Sequence, residues 1–290
     1  MKFTKMHGAG NDFIIINNTD GVIPVAQLPA LAVWLCAQHR SVGADGLMVV
    51  VRPERGGDYK MLFYNSDGSI GEMCGNGARC IARYGYEYGL AGETQRIETT
   101  AGLVVGQRVS KRAYKVRLND PSVVDLHRKV SAGGVNYDCA YIELGMPGIP
   151  HAVVCLPDFD EYDRNELRAL GRTLRFSEAF PRGANVSFVK ILGTNRVKAV
   201  TYERGVEDFT LACGTGCGAI AASLRLLGRC GERVDISMPG GELQVELTCA
   251  GGMLRDIYLT GPTNMVCVGE ILDEDIPIEL QQMIDINGGG

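Results

Sequence analysis

A short phrase is written once in each half of this chain: Cys74-Gly75-Asn76-Gly77, and again Cys213-Gly214-Thr215-Gly216. Each puts one thiol at a glycine-rich turn. After each turn the small residues run on as a helix, expected over Ala78 to Tyr88 and over Cys217 to Leu227. A cysteine in that place sits beside the freed backbone N–H groups of a helix N-terminus, where a thiolate is stabilised. The repetition constrains the chain to two similar halves, with the two thiols facing each other across a shared anion site. Proton transfer on both faces of one carbon is the chemistry that needs such symmetry.

With 290 residues, two domains are the natural division. Runs of valine and isoleucine punctuated by glycine predict strands over 13–17, 47–51, 60–64, 96–99, 103–109 and 114–118. The pattern then restarts at 139–144, 152–156, 186–191, 197–202, 234–238, 243–247 and 254–260, with Gly240-Gly241 as a hairpin turn. Further helices are expected over Val25 to His39 and Tyr162 to Leu174, and the turn formers Asn119-Asp120-Pro121 mark the crossover between halves. The order of elements repeats, as in a duplicated fold. The expected class is α+β, with two pseudo-symmetric domains, each a mostly antiparallel sheet or barrel wrapped on a central helix. Residues 1–119 form the first, rejoined by 265–285, and residues 120–264 the second. The site is expected in the cleft between them.

A net charge of −5, with basic residues that do not run together, disfavours nucleic acid and anionic membranes as partners and favours a small polar substrate. The opening Met1-Lys-Phe-Thr-Lys-Met-His lacks the pattern of a signal peptide, and no run is long enough to cross a bilayer. The ten cysteines are therefore read as free thiols of a cytoplasmic protein. Zinc is disfavoured: Cys80 and Cys217 do not complete knuckle spacing with Cys74 and Cys213, and no clustered histidines add ligands.

A lone free cysteine is most often a small buried hydrophobe. Two of them, each ahead of Gly-X-Gly at equivalent places, favour an acid–base pair. Turn N–H groups lower a thiol pKa, so one member serves as thiolate and the other as thiol. The N–H groups of Gly75-Asn76 and Gly214-Thr215 are placed to grip a substrate carboxylate as the adjacent carbon loses its proton. No cofactor is then required.

Six phrases carry a resemblance over nearly the whole chain: Lys5-Met-His-Gly-Ala-Gly-Asn-Asp-Phe13; Gly43-Ala-Asp-Gly46; Asn65-Ser-Asp-Gly-Ser69 with Cys-Gly-Asn-Gly-Ala-Arg79; Pro150-His-Ala-Val153; Gly183-Ala-Asn-Val186; and Glu203-Arg-Gly-Val206 with Ala-Cys-Gly-Thr-Gly216. In this order they resemble the diaminopimelate epimerases, of the cofactor-independent amino-acid racemase group. The resemblance implies that Cys74 and Cys213 are the two bases. It implies substrate recognition by Asn11, Asn65, Asn185, Glu203 and Arg204, and a homodimer. His151 and Glu203 are then candidates to orient a thiol or share its proton. Asn11 and Asn65 lie near glycines and read equally well as turn residues, and a histidine before Ala-Val-Val also reads as a satisfied residue at a strand start.

Two positions depart from the common family pattern. Gly148-Ile149-Pro150-His151 stands where many members have Gly-Asn-Pro-His, which removes an amide from the distal end of the substrate, and Gly46 stands where many have glutamine. The expected activity is epimerisation of LL-2,6-diaminopimelate to the meso form, for lysine and cell-wall synthesis. Two alternatives stay open: a racemase of another amino acid, such as histidine, on the same thiol pair, and a non-catalytic binding or zinc-stabilised scaffold protein.

Overall fold

The computed structural model describes residues 1–71, 75–272, 277 and 280. The chain divides into two compact units, Met1–Val116 with Pro262–Gly290, and Arg117–Gly261. The first unit runs β1 (Lys2–Gly8), β2 (Asn11–Asn17), α1 (Leu28–Cys36), β3 (Gly46–Val51), β4 (Tyr59–Asn65), α2 (Gly75–Glu87), β5 (Thr94–Thr99), β6 (Gly102–Arg108) and β7 (Ala113–Arg117). Neighbours pair in chain order. The joints β1·β2, β3·β4, β5·β6 and β6·β7 are antiparallel, while β2·β3 and β4·β5 are parallel. Parallel neighbours need a long crossover, and α1 and α2 are those crossovers.

The second unit repeats this plan: β8 (Pro121–Ala132), β9 (Val135–Leu144), β10 (Ile149–Cys155), α3 (Arg164–Arg175), β11 (Asn185–Gly193), β12 (Arg196–Glu203), a short β13 (Asp208–Thr210), α4 (Gly214–Leu226), β14 (Arg233–Met238), β15 (Gly241–Ala250) and β16 (Met253–Pro262). Its joints follow the same sequence: β9·β10 antiparallel, β10·β11 parallel, β11·β12 antiparallel, β12·β14 parallel, then β14·β15 and β15·β16 antiparallel. β8 pairs antiparallel with β9. The matching place beside β1 is filled from the far end of the chain by β17 (Asn264–Glu270). Each half was expected to be mostly antiparallel, and it is, with two parallel joints per unit where a helix crosses over.

In each unit one helix is enclosed by the sheet and one covers it. α2 packs on β1, β2, β5 and β6, strands far apart in the sheet order, so the sheet curls round it, and every residue from Gly75 to Gly85 is buried. Such a helix has to be slim. A Cβ on Gly8 would lie 2.9 Å from the Asn76 carbonyl oxygen, and one on Gly218 would lie 2.8 Å from Leu118 Cδ1 in the equivalent packing of α4. The outer faces are greasier. Leu28, Leu31 and Leu35 of α1 cluster with Ile14, Ile16, Leu47 and Val49, and Leu167 and Leu174 of α3 cluster with Tyr141, Val154, Val186 and Phe188.

The expected helices shift at their ends. α2 and α4 start at Gly75 and Gly214, directly after the cysteine positions rather than three residues on. Val25–Gln27 is a 3-10 turn rather than α-helix, and α3 starts after Asp163, whose side chain caps the backbone N–H groups of Asn165 and Glu166. The expected Gly240-Gly241 hairpin centres one residue earlier, on Pro239-Gly240, because Met238 pairs with Gly241. No helix among the described residues is long and apolar enough to cross a membrane.

The enclosed helices give a direct test. A Cβ on Gly85 would meet Tyr59 Oη at 2.6 Å and Gln95 Oε1 at 2.7 Å, two atoms already hydrogen-bonded to each other, and Gln95 Nε2 is anchored on the Ala82 carbonyl. Gly85→Ala is expected to cost about 1–3 kcal/mol by overpacking, outweighing the roughly 1 kcal/mol that alanine gains in a helix. A urea midpoint that stays put or rises would contradict the enclosed packing.

Candidate active site

Cys213 is the N-cap residue of α4, in extended backbone conformation, with Gly214 and Thr215 as the first two residues of the helix. The Gly216 backbone N–H donates to its Sγ, and the Thr215 hydroxyl lies 3.8 Å away. A Cβ at residue 216 would sit 3.1 Å from Sγ, so the glycine lets the turn close on the thiol. Strand alternation assembles the rest. Ala152, Val186 and Tyr202 belong to the cluster under α3, so their neighbours His151, Asn185, Thr201 and Glu203 face the α4 side. His151 lies opposite Asn185, and Ser187 opposite Thr201, their hydroxyls 2.9 Å apart. Thr201 in turn pairs with Thr210, whose hydroxyl donates to Glu203 Oε1.

Two groups here are held neutral. Burial pushes the Cys213 thiol well above its ordinary value, and the Glu203 carboxylate pushes it further, against the opposing Gly216 and Thr215 hydrogen bonds. Helix-start N–H groups were expected to lower this pKa. In the folded chain desolvation and a neighbouring negative charge win, so Cys213 rests as a thiol. His151 is completely buried and neither ring nitrogen has a hydrogen-bond partner. Burial, aided by the Arg204 charge, lowers its pKa to about 3. An imidazole left unsatisfied in a buried place is costly and equipped to exchange hydrogen bonds with something bound.

Asn185 is partly committed to structure. Its Oδ1 accepts the Arg204 backbone N–H (2.8 Å) and its Nδ2 donates to the Pro150 carbonyl (3.3 Å). That fixes the amide orientation and leaves a second Nδ2 hydrogen as a donor.

In the first unit α2 begins at Gly75, while Cys74 lies outside the described residues. The Asn76 side chain accepts from Arg79 Nη2 (2.9 Å), whose other terminal nitrogen donates to the Gly75 carbonyl (3.1 Å). The amide oxygen therefore serves a fully buried guanidinium, whereas the expected substrate contact at this residue is through its backbone N–H. Asn11 Nδ2 donates to Asp45 Oδ2 (2.5 Å), and the Asp12 N–H shares that oxygen (3.0 Å). Asn65 Nδ2 donates to Ser69 Oγ (2.9 Å), which is itself bonded to Asp67 Oδ1. Gly46 lies opposite both Phe13 and Asn65, and a Cβ there would come within 2.5 Å of the Phe63 ring, so Phe63 excludes a side chain at this position.

By register, Phe13, Gly46 and Asn65 are the counterparts of His151, Asn185 and Glu203. The sequence reading missed Thr201, whose signal was a hydroxyl at an inward position of β12, and Thr210 of the short β13 beside it. It also missed Asp45, Asp67 and Ser69 as supports, although they lie inside the quoted phrases.

The model of a family described as diaminopimelate epimerase matches residues 3–124 and 144–266. A diaminopimelate epimerase of Archaeoglobus fulgidus is 39% identical over 276 residues, covering 92% of this chain and 95% of the relative. The chain belongs to the diaminopimelate epimerase family. A second family member, from Aquifex aeolicus, is 36% identical and covers 94% of this chain and 99% of its own. Among solved structures, a probable proline racemase from Agrobacterium radiobacter K84 superposes with a TM-score of 0.72 at 16% identity, covering 97% of this chain and 95% of its own. A PhzF-family phenazine biosynthesis protein from Bacillus anthracis reaches 0.69 at 15%, covering 94% and 99%. At these identities the likeness is one of fold, and it places the duplicated architecture of this epimerase family member in a wider set.

The neutral His151 makes stability depend on pH. Its folded pKa of about 3 lies below the 6.5 of a free histidine, so below about pH 6.5 the unfolded chain binds a proton that the folded chain refuses. Stability should therefore fall by up to roughly 1.4 kcal/mol per pH unit from about pH 6.5 towards 3 through this group alone. His151→Asn should remove that part of the slope in denaturant titrations between pH 7 and 4. Parallel curves for the two proteins would show that the imidazole is not held neutral.

Proposed function

We propose that this chain converts LL-2,6-diaminopimelate to the meso form by 1,1-proton transfer without a cofactor, in lysine and peptidoglycan synthesis in the cytoplasm, with Cys213 and Cys74 as its two acid–base groups. The observation that carries the reading is Cys213: a buried thiol at the start of α4, with its proton retained beside the Glu203 carboxylate. Relatives that align over nearly their full length carry the name of this activity.

The chemistry follows from the groups. As the α-carbon loses its proton to one thiolate, charge spreads onto the substrate carboxylate, which the N–H groups of Gly214-Thr215 and Gly75-Asn76 stabilise at the two helix starts. The Cys213 thiol hands its proton to the opposite face of the carbon and becomes a thiolate, and in the reverse direction the roles exchange. Glu203 raises the proton affinity of Cys213 and so keeps it the donor in the resting enzyme. His151, neutral throughout the working pH range, exchanges hydrogen bonds with bound groups without adding charge. Arg204 and the spare Asn185 N–H suit the distal carboxylate, because both can only donate in the arrangement observed. Asn11 and Asn65, each held by an acidic or hydroxyl neighbour, meet the remaining polar groups of the substrate. The expected assembly is a homodimer.

Ile149 favours a second reading, a racemase of another amino acid such as histidine on the same thiol pair, since an aliphatic side chain replaces an amide. A panel of amino acids read by chiral chromatography separates the two, and turnover of histidine without turnover of diaminopimelate would overturn the first.

In deuterated water, early meso product should carry deuterium at the inverted carbon while residual substrate stays largely protiated, because the donating thiol exchanges with solvent. Cys213→Ala should lower kcat by about 10²–10⁴ or more, the usual contribution of a general acid–base group. A Cys213→Ala protein that still inverts its substrate near the wild-type rate would remove the thiol from the mechanism.

A further inference from the structure

On the α3 side of the sheet lies an ion pair that the proposed chemistry leaves unused, its carboxylate buried and its guanidinium half exposed. Glu143, whose side chain is only 11% exposed, stands directly opposite Pro150 in the β9·β10 pair. Both of its oxygens are engaged: the Tyr141 hydroxyl donates to Oε1 (2.5 Å) and Arg182 Nη2 donates to Oε2. Burial works against its charge, yet the bonds from Tyr141 and Arg182 hold the carboxyl below its ordinary pKa. The approach depends on Gly148, where a Cβ would lie 2.5 Å from Glu143 Cβ and 2.8 Å from Oε2.

Arg182 connects this cluster to the site. Its Nη2 also donates to the Gly148 carbonyl (3.2 Å), pinning the residues that open β10. Its own carbonyl accepts from Arg204 Nη1 (3.3 Å). The segment carrying Arg182 is fixed just upstream as well, by Phe180 stacked on the Tyr141 ring at 5.3 Å. One N–H of the Arg204 fork is thus held by a carbonyl whose residue is anchored through an ion pair to the buried Glu143 carboxylate, and the Arg204 backbone is held by Asn185. A guanidinium fixed in this way loses less rotamer freedom when a carboxylate arrives, and presents its remaining donors in one direction.

We propose that Glu143 and Arg182 are positioning residues that preset the Arg204 guanidinium, so that the site selects substrates carrying a second carboxylate. The inference rests on the reading of Arg204 as the partner of the distal carboxylate. Arg182 touches no substrate in this scheme and acts only through Arg204 and the start of β10.

The test is a double-mutant cycle of Arg182→Met and Arg204→Met, with Glu143→Gln and Arg182→Lys alongside, assayed with LL-diaminopimelate and checked for folding by thermal melts. Arg182→Met should raise KM about tenfold with kcat within about twofold, and Arg182→Lys, which can still reach Glu143, should recover part of the loss. In the Arg204→Met background the further effect of Arg182→Met on kcat/KM should largely vanish, as it must for residues acting through one another. Effects that multiply independently, or a loss confined to kcat with a lowered melting temperature, would overturn the proposal while leaving the epimerase reading intact. A wild-type protein that does not turn over LL-diaminopimelate would overturn both. Should Glu143→Gln fail to fold, the half-exposed Arg182 variants carry the same test.

Discussion

Everything at the site depends on how closely strands approach the two enclosed helices. A sheet can curl round a helix only if the helix is thin, and α2 and α4 are built of glycine, alanine and cysteine where the strands press nearest. The same thinness delivers the chemistry. Because Gly216 carries no side chain, its N–H reaches Cys213 Sγ. Packing and function thus draw on one compositional feature, which is why glycine-rich turns and small-residue helices occur together in each half.

Enclosure also sets the electrostatics. A thiol at a helix start in water would be acidified by the N–H groups beside it, but Cys213 is buried and faces Glu203, and the balance reverses. His151 is kept neutral by the same burial and by the positive charge of Arg204. The second unit therefore holds a protonated thiol, a neutral imidazole and a cationic fork, with an acidic group beside the thiol. None of these states can be read from residue type. Each is the sum of desolvation and neighbours that only the fold supplies.

The sequence was most readable where alternation was apolar. The strands around Leu47 to Val51 and Val186 to Ile191, and the four α-helices, lie close to where periodicity places them. β1 escaped notice because its inward residues are Thr4, Met6 and Gly8, a polar, an apolar and an absent side chain. β8 and β17 escaped because few or none of their residues are buried, so neither alternation nor an apolar run marks them. At the site, the identities of Cys213, Glu203, Arg204 and Asn185 were legible as phrases. Their hydrogen-bond commitments were not: the Asn76 amide turned out to serve Arg79, and Asn185 turned out to be a tie between Pro150 and Arg204. Such ties join residues 3 to 35 apart in the chain, and no local pattern announces the longer ones.

On the proposed chemistry, a duplicated plan has to run an asymmetric reaction. Two thiols in identical surroundings would titrate as a coupled pair with no assigned donor. The register equates Glu203 with Asn65, Asn185 with Gly46, and His151 with Phe13. At every one of the three positions the second unit carries the group able to bear charge or donate hydrogen bonds more strongly, while in the first unit Phe63 fills the place beside Gly46. The Glu203 carboxylate, at the position where the first unit carries the Asn65 amide, raises the proton affinity of Cys213. On the proposed two-thiol chemistry, the scaffold repeats the thiol turn and the Glu203 carboxylate helps to keep the Cys213 proton in place at rest.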